Sequence, residues 1–375
     1  MPRHWVADPL HIAMVAPPWF SVPPQGYGGV ENVCADLVAG LMARGHRITL
    51  IGAGDGGTAA DTFEATYPVP PSARLGEPLP EVLHTARVAE ILDGLDVDLV
   101  HDHTLAGPLL ARGRLVPTVV TTHGPVTDEP GQYYRALGHT VGLAAISHAQ
   151  RRSAPELPWL GMVHNALDVS TFPFREDKAD ELVFLGRLHP DKGVHLAIDA
   201  ARSVGMPIVV AGKCTEPIER AYYEAEISPR LGSDVTIFGN ADATQKRELL
   251  ARAAALVFPI VWDEPFGLVM IEAMACGTPV VAFGRGAVPE IVVQGVTGVV
   301  CDRPEELPAA IRASRLLSAL DCRDHVASRF DVATMAAGYE AIYRSALVTR
   351  YPARFARPAP RFTPIPVGGP ADAVA

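Results

Sequence analysis

The sequence predicts an α/β protein built from two Rossmann-like, doubly wound domains that face a central cleft. Three observations predict it. Short apolar runs alternate with stretches of helical period along most of the chain. The alternation restarts after residue 168, beyond a connecting segment that reads LPWLGMVHNALDV. A chain of 375 residues is also longer than one hydrophobic core usually serves. The expected domains are residues 1–168 and 169–330, with a last helix at 331–348 and a Pro-rich tail, 351–375, expected to be disordered.

Composition narrows the function. Apolar residues make up 48% of the chain, enough for well-filled cores, and no apolar run reaches the length of a membrane span. The N-terminal run LHIAMVA lacks a signal-peptide cleavage pattern and reads as a first strand, so a cytoplasmic location is expected. Acidic residues outnumber basic ones, 42 to 32, which argues against a nucleic-acid binder. Two short basic clusters, Arg112 with Arg114 and Arg151 with Arg152, suit a peripheral membrane contact at the inner face or an anionic acceptor, though such pairs are commonly just solvated. Five scattered cysteines with no Cys-x-x-Cys pattern read as buried free thiols.

In the first half, residues 11–16 form a short apolar strand. The loop PPWFSVPPQGYGG follows, then a helix over 30–44 with apolar residues at i, i+3, i+4, i+7 spacing, and a second strand over 47–52. Strand, glycine loop and helix in that order suit phosphate binding, and Gly28 and Gly29 let a ligand approach the backbone closely. Gly52, Gly54 and Gly57 match G-x-G-x-x-G, but they follow the second strand and lead into a stretch that reads as loop over 58–78, so a nicotinamide site is rejected. The triplet His101-Asp102-His103 and the pair Asp96/Asp98 invite a metal reading. No second ligand cluster of suitable spacing exists, and no protein-bound metal is expected. His123 ends a further strand, on the side where open α/β sheets bind ligands.

In the second half, ELVFLGRLHPDKGVHLAIDAARSVG reads strand, loop, helix. Arg187 and Lys192 sit in that loop, a fork and a point charge suited to a diphosphate. The segment WDEPFGLVMIEAMACGTPVV then carries Glu264 and Glu272 with seven residues between them. A helix over 268–276 should start after Phe266 and Gly267 and stop at Gly277. Its first amides, at Gly267 and Leu268, form an anion site between two carboxylates. Taken alone, the glutamates read as ordinary helix carboxylates. An anion site between them asks for a ligand with hydroxyls as well as phosphates, as a nucleotide sugar has.

These residues resemble the family-4 retaining glycosyltransferases of GT-B fold. EPFGLVMIE followed by AMACGTPVVAF matches that family's E-x7-E segment, GRLHPDKG its phosphate-clamp loop, YGGVE its first glycine loop, THG its active-site histidine segment and VHNALDVSTF its linker. The resemblance spans residues 11–347. It implies that Arg187 and Lys192 bind the donor diphosphate, that Glu272 holds the ribose, and that Glu264 with the amides of Phe266, Gly267 and Leu268 holds the sugar and its phosphate. Gly28 and Gly29 would close over the diphosphate, His123 would lie beside the donor sugar, and the backbone at Phe238 and Gly239 would meet the base. The last helix would cross back onto the first domain.

The resemblance further implies transfer of a sugar from a nucleoside diphosphate (UDP-hexose first, GDP-mannose next) to a hydroxyl acceptor, with retained configuration and neither cofactor nor essential metal. The acceptor could be a carbohydrate, lipid-linked or small-molecule one. Asn165-Ala166 departs from the linker pattern, where glycine commonly follows the asparagine. Rival readings are a sugar phosphorylase or nucleotide-sugar epimerase on the same fold, and a non-catalytic nucleotide-sugar-binding protein.

Overall fold

The computed structural model describes residues 8–26 and 28–350, so the tail at 351–375 and Tyr27 of the glycine loop lie outside the described residues. The first sheet has seven parallel strands: β1 (His11–Val15), β2 (Arg47–Ala53), β3 (Thr62–Tyr67), β4 (Leu99–Asp102), β5 (Thr118–Thr121), β6 (Gly142–Ala145) and β7 (Trp159–Met162). Their order is β3-β2-β1-β4-β5-β6-β7. The second sheet has six: β8 (Leu182–Leu185), β9 (Ile208–Ala211), β10 (Val235–Gly239), β11 (Ala255–Phe258), β12 (Val280–Phe283) and β13 (Gly298–Cys301), in the order β10-β9-β8-β11-β12-β13. Central strands such as LVHD, VVAF and ALVF are buried along their whole length, as helices on both faces of a parallel sheet require.

Two strands fall where the sequence reads loop or connector. TFEATY and WLGM form β3 and β7, the two edges of the first sheet. Edge strands pair on one side only and stay half exposed, so they need no continuous apolar run. After β2 the next element is β3 and not a helix, which leaves Gly52, Gly54 and Gly57 without the helix N-terminus a dinucleotide needs.

In both sheets the order reverses beside the first strand, at β1/β4 and at β8/β11. Ligands of open α/β sheets bind in the crevice outside such a reversal. The loop after β1 carries Gly28 and Gly29, and the loop after β8 carries Arg187 and Lys192. The two sheets thus aim their switch points at one cleft.

The last helix, Val332–Arg350, packs on the helix Gly29–Ala43 of the first domain. Met335, Tyr339, Ile342 and Tyr343 lie buried in the same core as Ile12, Met14 and Leu37. The domains also meet through Glu290. Its carboxylate accepts the backbone N–H groups of His148 (2.8 Å) and Ala149 (2.5 Å), the first turn of the helix His148–Ser153, and lies 3.2 Å from His164 Nε2.

Candidate active site

The helix that carries Glu272 spans Leu268–Ala275 and is capped by Cys276, so it ends a residue earlier than the sequence suggests. Its N-cap, Gly267, has φ 84°, and a Cβ there would lie 2.8 Å from Met270 Cε and 3.3 Å from Glu264 Cγ. Only glycine makes this entry without strain. The turn aims the first helix amides, which have no acceptor within the helix, at the cleft.

Two adjoining cavities occupy the cleft. The first, of about 230 Å³, is lined by Gly28, Gly29, Arg187, Lys192, Glu264, Gly267, Leu268 and Glu272. Eight of the sequence-predicted residues therefore come together here, from segments more than 240 positions apart. The second, of about 360 Å³, shares Gly28, Gly29, Glu264, Gly267 and Leu268 with the first and adds His123 and Phe266. His123 and Phe266 thus face the neighbouring space and do not line the first cavity. Gly239 lines neither: with φ 77° it turns the chain at the end of β10, and the wall is made by the next residues, Asn240 to Ala243.

Charge in the first cavity is balanced by pairs. Lys192 Nζ donates to Glu264 Oε2, which also accepts from Trp262 Nε1 at 2.9 Å. The Lys192 ammonium lies 5.0 Å from the centre of the Trp262 ring, a cation–π distance. An ammonium has three donors, so one bond to Glu264 leaves donors for a phosphate. Across the cavity Glu272 accepts from Lys246 Nζ at 2.6 Å. Arg187 lies 3.6 Å from both Glu216 and Glu219. Lys246, Lys213 and Asn32 also line this space and were not picked out from the sequence. Lys246 sits in ATQKRELLAR, which reads as an ordinary solvated helix; its partner Glu272 is 26 positions away, and only packing of the two helices joins them.

A buried histidine row supports His123. His103 Nδ1 is 2.9 Å from His123 Nε2, and His103 Nε2 is 3.1 Å from Met14 Sδ. Burial lowers His123 to about 4 and His103 well below its ordinary value, so both are neutral near pH 7. A thioether only accepts, so His103 carries its hydrogen on Nε2 and its Nδ1 accepts. His123 therefore donates from Nε2 and keeps a lone pair on Nδ1. His101 is held by Thr121 Oγ1 (2.7 Å) and by Tyr343 of the last helix (2.8 Å). These bonds give the His101–His103 triplet a structural explanation, and among the described residues no group of three or more His, Cys, Asp or Glu is placed to hold a metal ion.

The basic clusters stand apart. Arg112 and Arg114 line a separate cavity at the amino ends of β5 and β6, away from the cleft. Arg152 approaches Glu290 at 3.6 Å. The described cysteines are free, and no described helix is long and apolar enough to cross a membrane.

Comparison with known proteins agrees with this layout. Residues 27–171 match the family described as Glycosyltransferase Family 4, and residues 170–323 match Glycosyl transferases group 1. The chain is 28% identical to a glycogen synthase of Mycobacterium tuberculosis, over 90% of this chain and 95% of that one. It is 26% identical to a phosphatidyl-myo-inositol mannosyltransferase of the same species, over 89% and 93%. Among solved structures it resembles AviGT4, a glycosyltransferase involved in avilamycin A biosynthesis, with a TM-score of 0.68 and 28% identity over 91% of this chain and 98% of that one. Two family matches that join near residue 170, on two sheets whose switch points share one cleft, place this chain in glycosyltransferase family 4, with the GT-B fold.

Proposed function

We propose that the protein transfers a hexose from a nucleoside diphosphate to a hydroxyl acceptor, with retention of configuration and without an essential metal. UDP-hexose is the first donor to test and GDP-mannose the second. One observation carries the reading: Arg187, Lys192, the Gly267–Leu268 helix entry and Glu272 line a single cavity closed on its far side by Gly28 and Gly29.

The barrier is cleavage of the sugar–phosphate bond. Arg187, Lys192 and the helix amides stabilise the leaving diphosphate as charge develops on it. Glu264, held between Lys192 and Trp262, grips the sugar. Its pairing suits positioning better than nucleophilic attack. Glu272 takes the ribose hydroxyls beside Lys246. His123, neutral with a bare Nδ1, accepts a hydrogen bond from a sugar hydroxyl. The acceptor attacks from the face the diphosphate leaves, and a phosphate oxygen takes its proton.

A thermal-shift screen of nucleotide sugars tests the donor. A ligand at about 100 times its Kd stabilises by roughly 2.7 kcal/mol. A matching donor that is then slowly hydrolysed or transferred, with full activity in EDTA, supports the proposal. Binding without turnover would mark a sensor, release of sugar phosphate on adding inorganic phosphate a phosphorylase, and activity lost to EDTA and restored by Mn²⁺ would end the metal-free reading.

A further inference from the structure

The loop that carries Arg187 and Lys192 has its backbone fixed from outside the cavity. Leu188 N–H donates to the Lys213 carbonyl at 2.9 Å, and Val261 N–H donates to the Asp191 carbonyl at 2.9 Å. The helix that follows, Val194–Ser203, is met by Tyr222, whose hydroxyl accepts the His195 N–H at 3.2 Å and lies 2.6 Å from His195 Nδ1. None of these bonds sets the direction of the Arg187 side chain. Among the described residues, two carboxylates meet its guanidinium, Glu216 and Glu219, each 3.6 Å from the same terminal nitrogen.

The two carboxylates are unlike. The Glu216 side chain is 44% exposed and already accepts from Lys213 Nζ at 3.0 Å. An ion pair so open to water holds a side chain weakly. Glu219 is fully buried. Its Oε2 accepts the backbone N–H groups of Thr215 (2.8 Å) and Glu216 (3.0 Å), which pins the carboxylate in place. Its Oε1 is buried with no hydrogen-bond partner and lies 3.6 Å from Arg187. A charge-assisted hydrogen bond is about 2.7–2.9 Å long. Arg187 is therefore held by attraction at a distance, and its N–H donors stay uncommitted.

Resting on the donor reading above, we infer that Glu219 is a positioning residue for Arg187: it holds the guanidinium at the first cavity, with free donors, before the diphosphate arrives. A carboxylate behind a phosphate site acts in two opposed ways. Its charge repels the ligand, and its grip keeps the arginine in place. Arg187 lines the cavity and Glu219 does not. The grip thus acts at 3.6 Å, while the repulsion acts across the guanidinium, and Coulomb energy falls with distance. An arginine left loose would also lose rotamer freedom when the ligand binds, a cost that Glu219 removes by fixing it beforehand. The grip therefore outweighs the repulsion.

Isothermal titration calorimetry on the full chain tests this with UDP, GDP and ADP, and the tightest of the three is carried forward. Arg187→Ala should weaken it about tenfold, the loss of a hydrogen-bonding partner to a charged group. Glu219→Gln keeps an acceptor for the Thr215 and Glu216 amides and removes the charge. It should weaken the same ligand about fivefold and leave Tm unchanged or higher. In the Arg187→Ala protein the same Glu219→Gln change should alter Kd by less than about twofold, because residues that act through one contact are not additive. Glu216→Gln, on the exposed carboxylate, should weaken the ligand less than Glu219→Gln does. A glutamate that only fixes its own turn would lower Tm and weaken the ligand equally with and without Arg187. That result overturns the inference. So does unchanged or tighter binding by the Glu219→Gln protein, which would show that repulsion outweighs the grip, and so does a larger loss from Glu216→Gln. Failure of the natural protein to bind any of the three diphosphates, or full affinity in the Arg187→Ala protein, counts against the donor reading itself, so the two failures are told apart.

Discussion

The two cavities share a wall and differ in kind. The donor side is a set of matched charges, Lys192 with Glu264 and Lys246 with Glu272, at side-chain exposures between 12% and 20%. The second cavity has aromatic rings, a buried carboxyl, a neutral histidine and a buried asparagine. A leaving diphosphate needs cations held ready at fixed positions, and pairing holds them there until the ligand arrives. Apolar walls exclude water, and a few polar groups set among them orient what binds. The same cleft thus carries paired charge on one side and a largely apolar wall on the other.

The largest expected effect breaks the donor side. Lys192→Ala and Arg187→Ala should each lower kcat by about 10²–10³, or roughly 2.7–4 kcal/mol, the loss of one preorganised charge-stabilising donor. Steady-state kinetics on the donor found in the screen measures this, and near-normal turnover in both proteins sinks the assignment. Next comes Glu272→Ala. A hydrogen bond to a charged group contributes roughly 1.5–3 kcal/mol, so donor KM should rise more than kcat falls. The reverse pattern counts against a ribose role.

The smallest effect belongs to the second cavity and is read through stability. Burial raises Glu31 and Asp36 to about 7 from an ordinary value near 4.5 and 3.8. The folded protein therefore holds protons that the unfolded chain has released. Their contribution is complete below pH 4 and is lost as pH rises through 7. Glu31→Gln removes one share and leaves that of Asp36. Its stability relative to the natural protein, read from Tm, should be higher at pH 8 than at pH 5, by on the order of 1 kcal/mol or more, since one unit of pKa shift is worth about 1.36 kcal/mol. Parallel Tm profiles across that range would show that Glu31 carries no such proton.

This contrast also explains what could be read in the sequence. The donor side lies in contiguous stretches, GRLHPDKG and EPFGLVMIE, where a loop or one helix turn fixes the relative positions of Arg187 and Lys192, and of Glu264, Gly267 and Glu272. Sequence spacing then carries geometry. Lys246 joins Glu272 only through packing, and Asn240 to Ala243 replace Gly239 because the chain turns at that glycine. The second cavity is assembled from seven separate segments. Trp19, Glu31, His123, Asn165 and Leu75 have no spacing in common, so nothing in the sequence marks them as neighbours. Edge strands β3 and β7 escaped for a related reason: half-exposed strands lack the apolar signature of the central ones.

Glu290 joins two processes that are usually separate. Its carboxylate belongs to one domain, while the amides it satisfies are the first turn of a helix in the other. Cleft opening would strip those amides of their acceptor and expose them to solvent. Domain motion is thereby tied to fraying of a single helical turn. The exchange of the His148 and Ala149 amide hydrogens with deuterium becomes a clock for how often the cleft opens, one that a bound donor should slow.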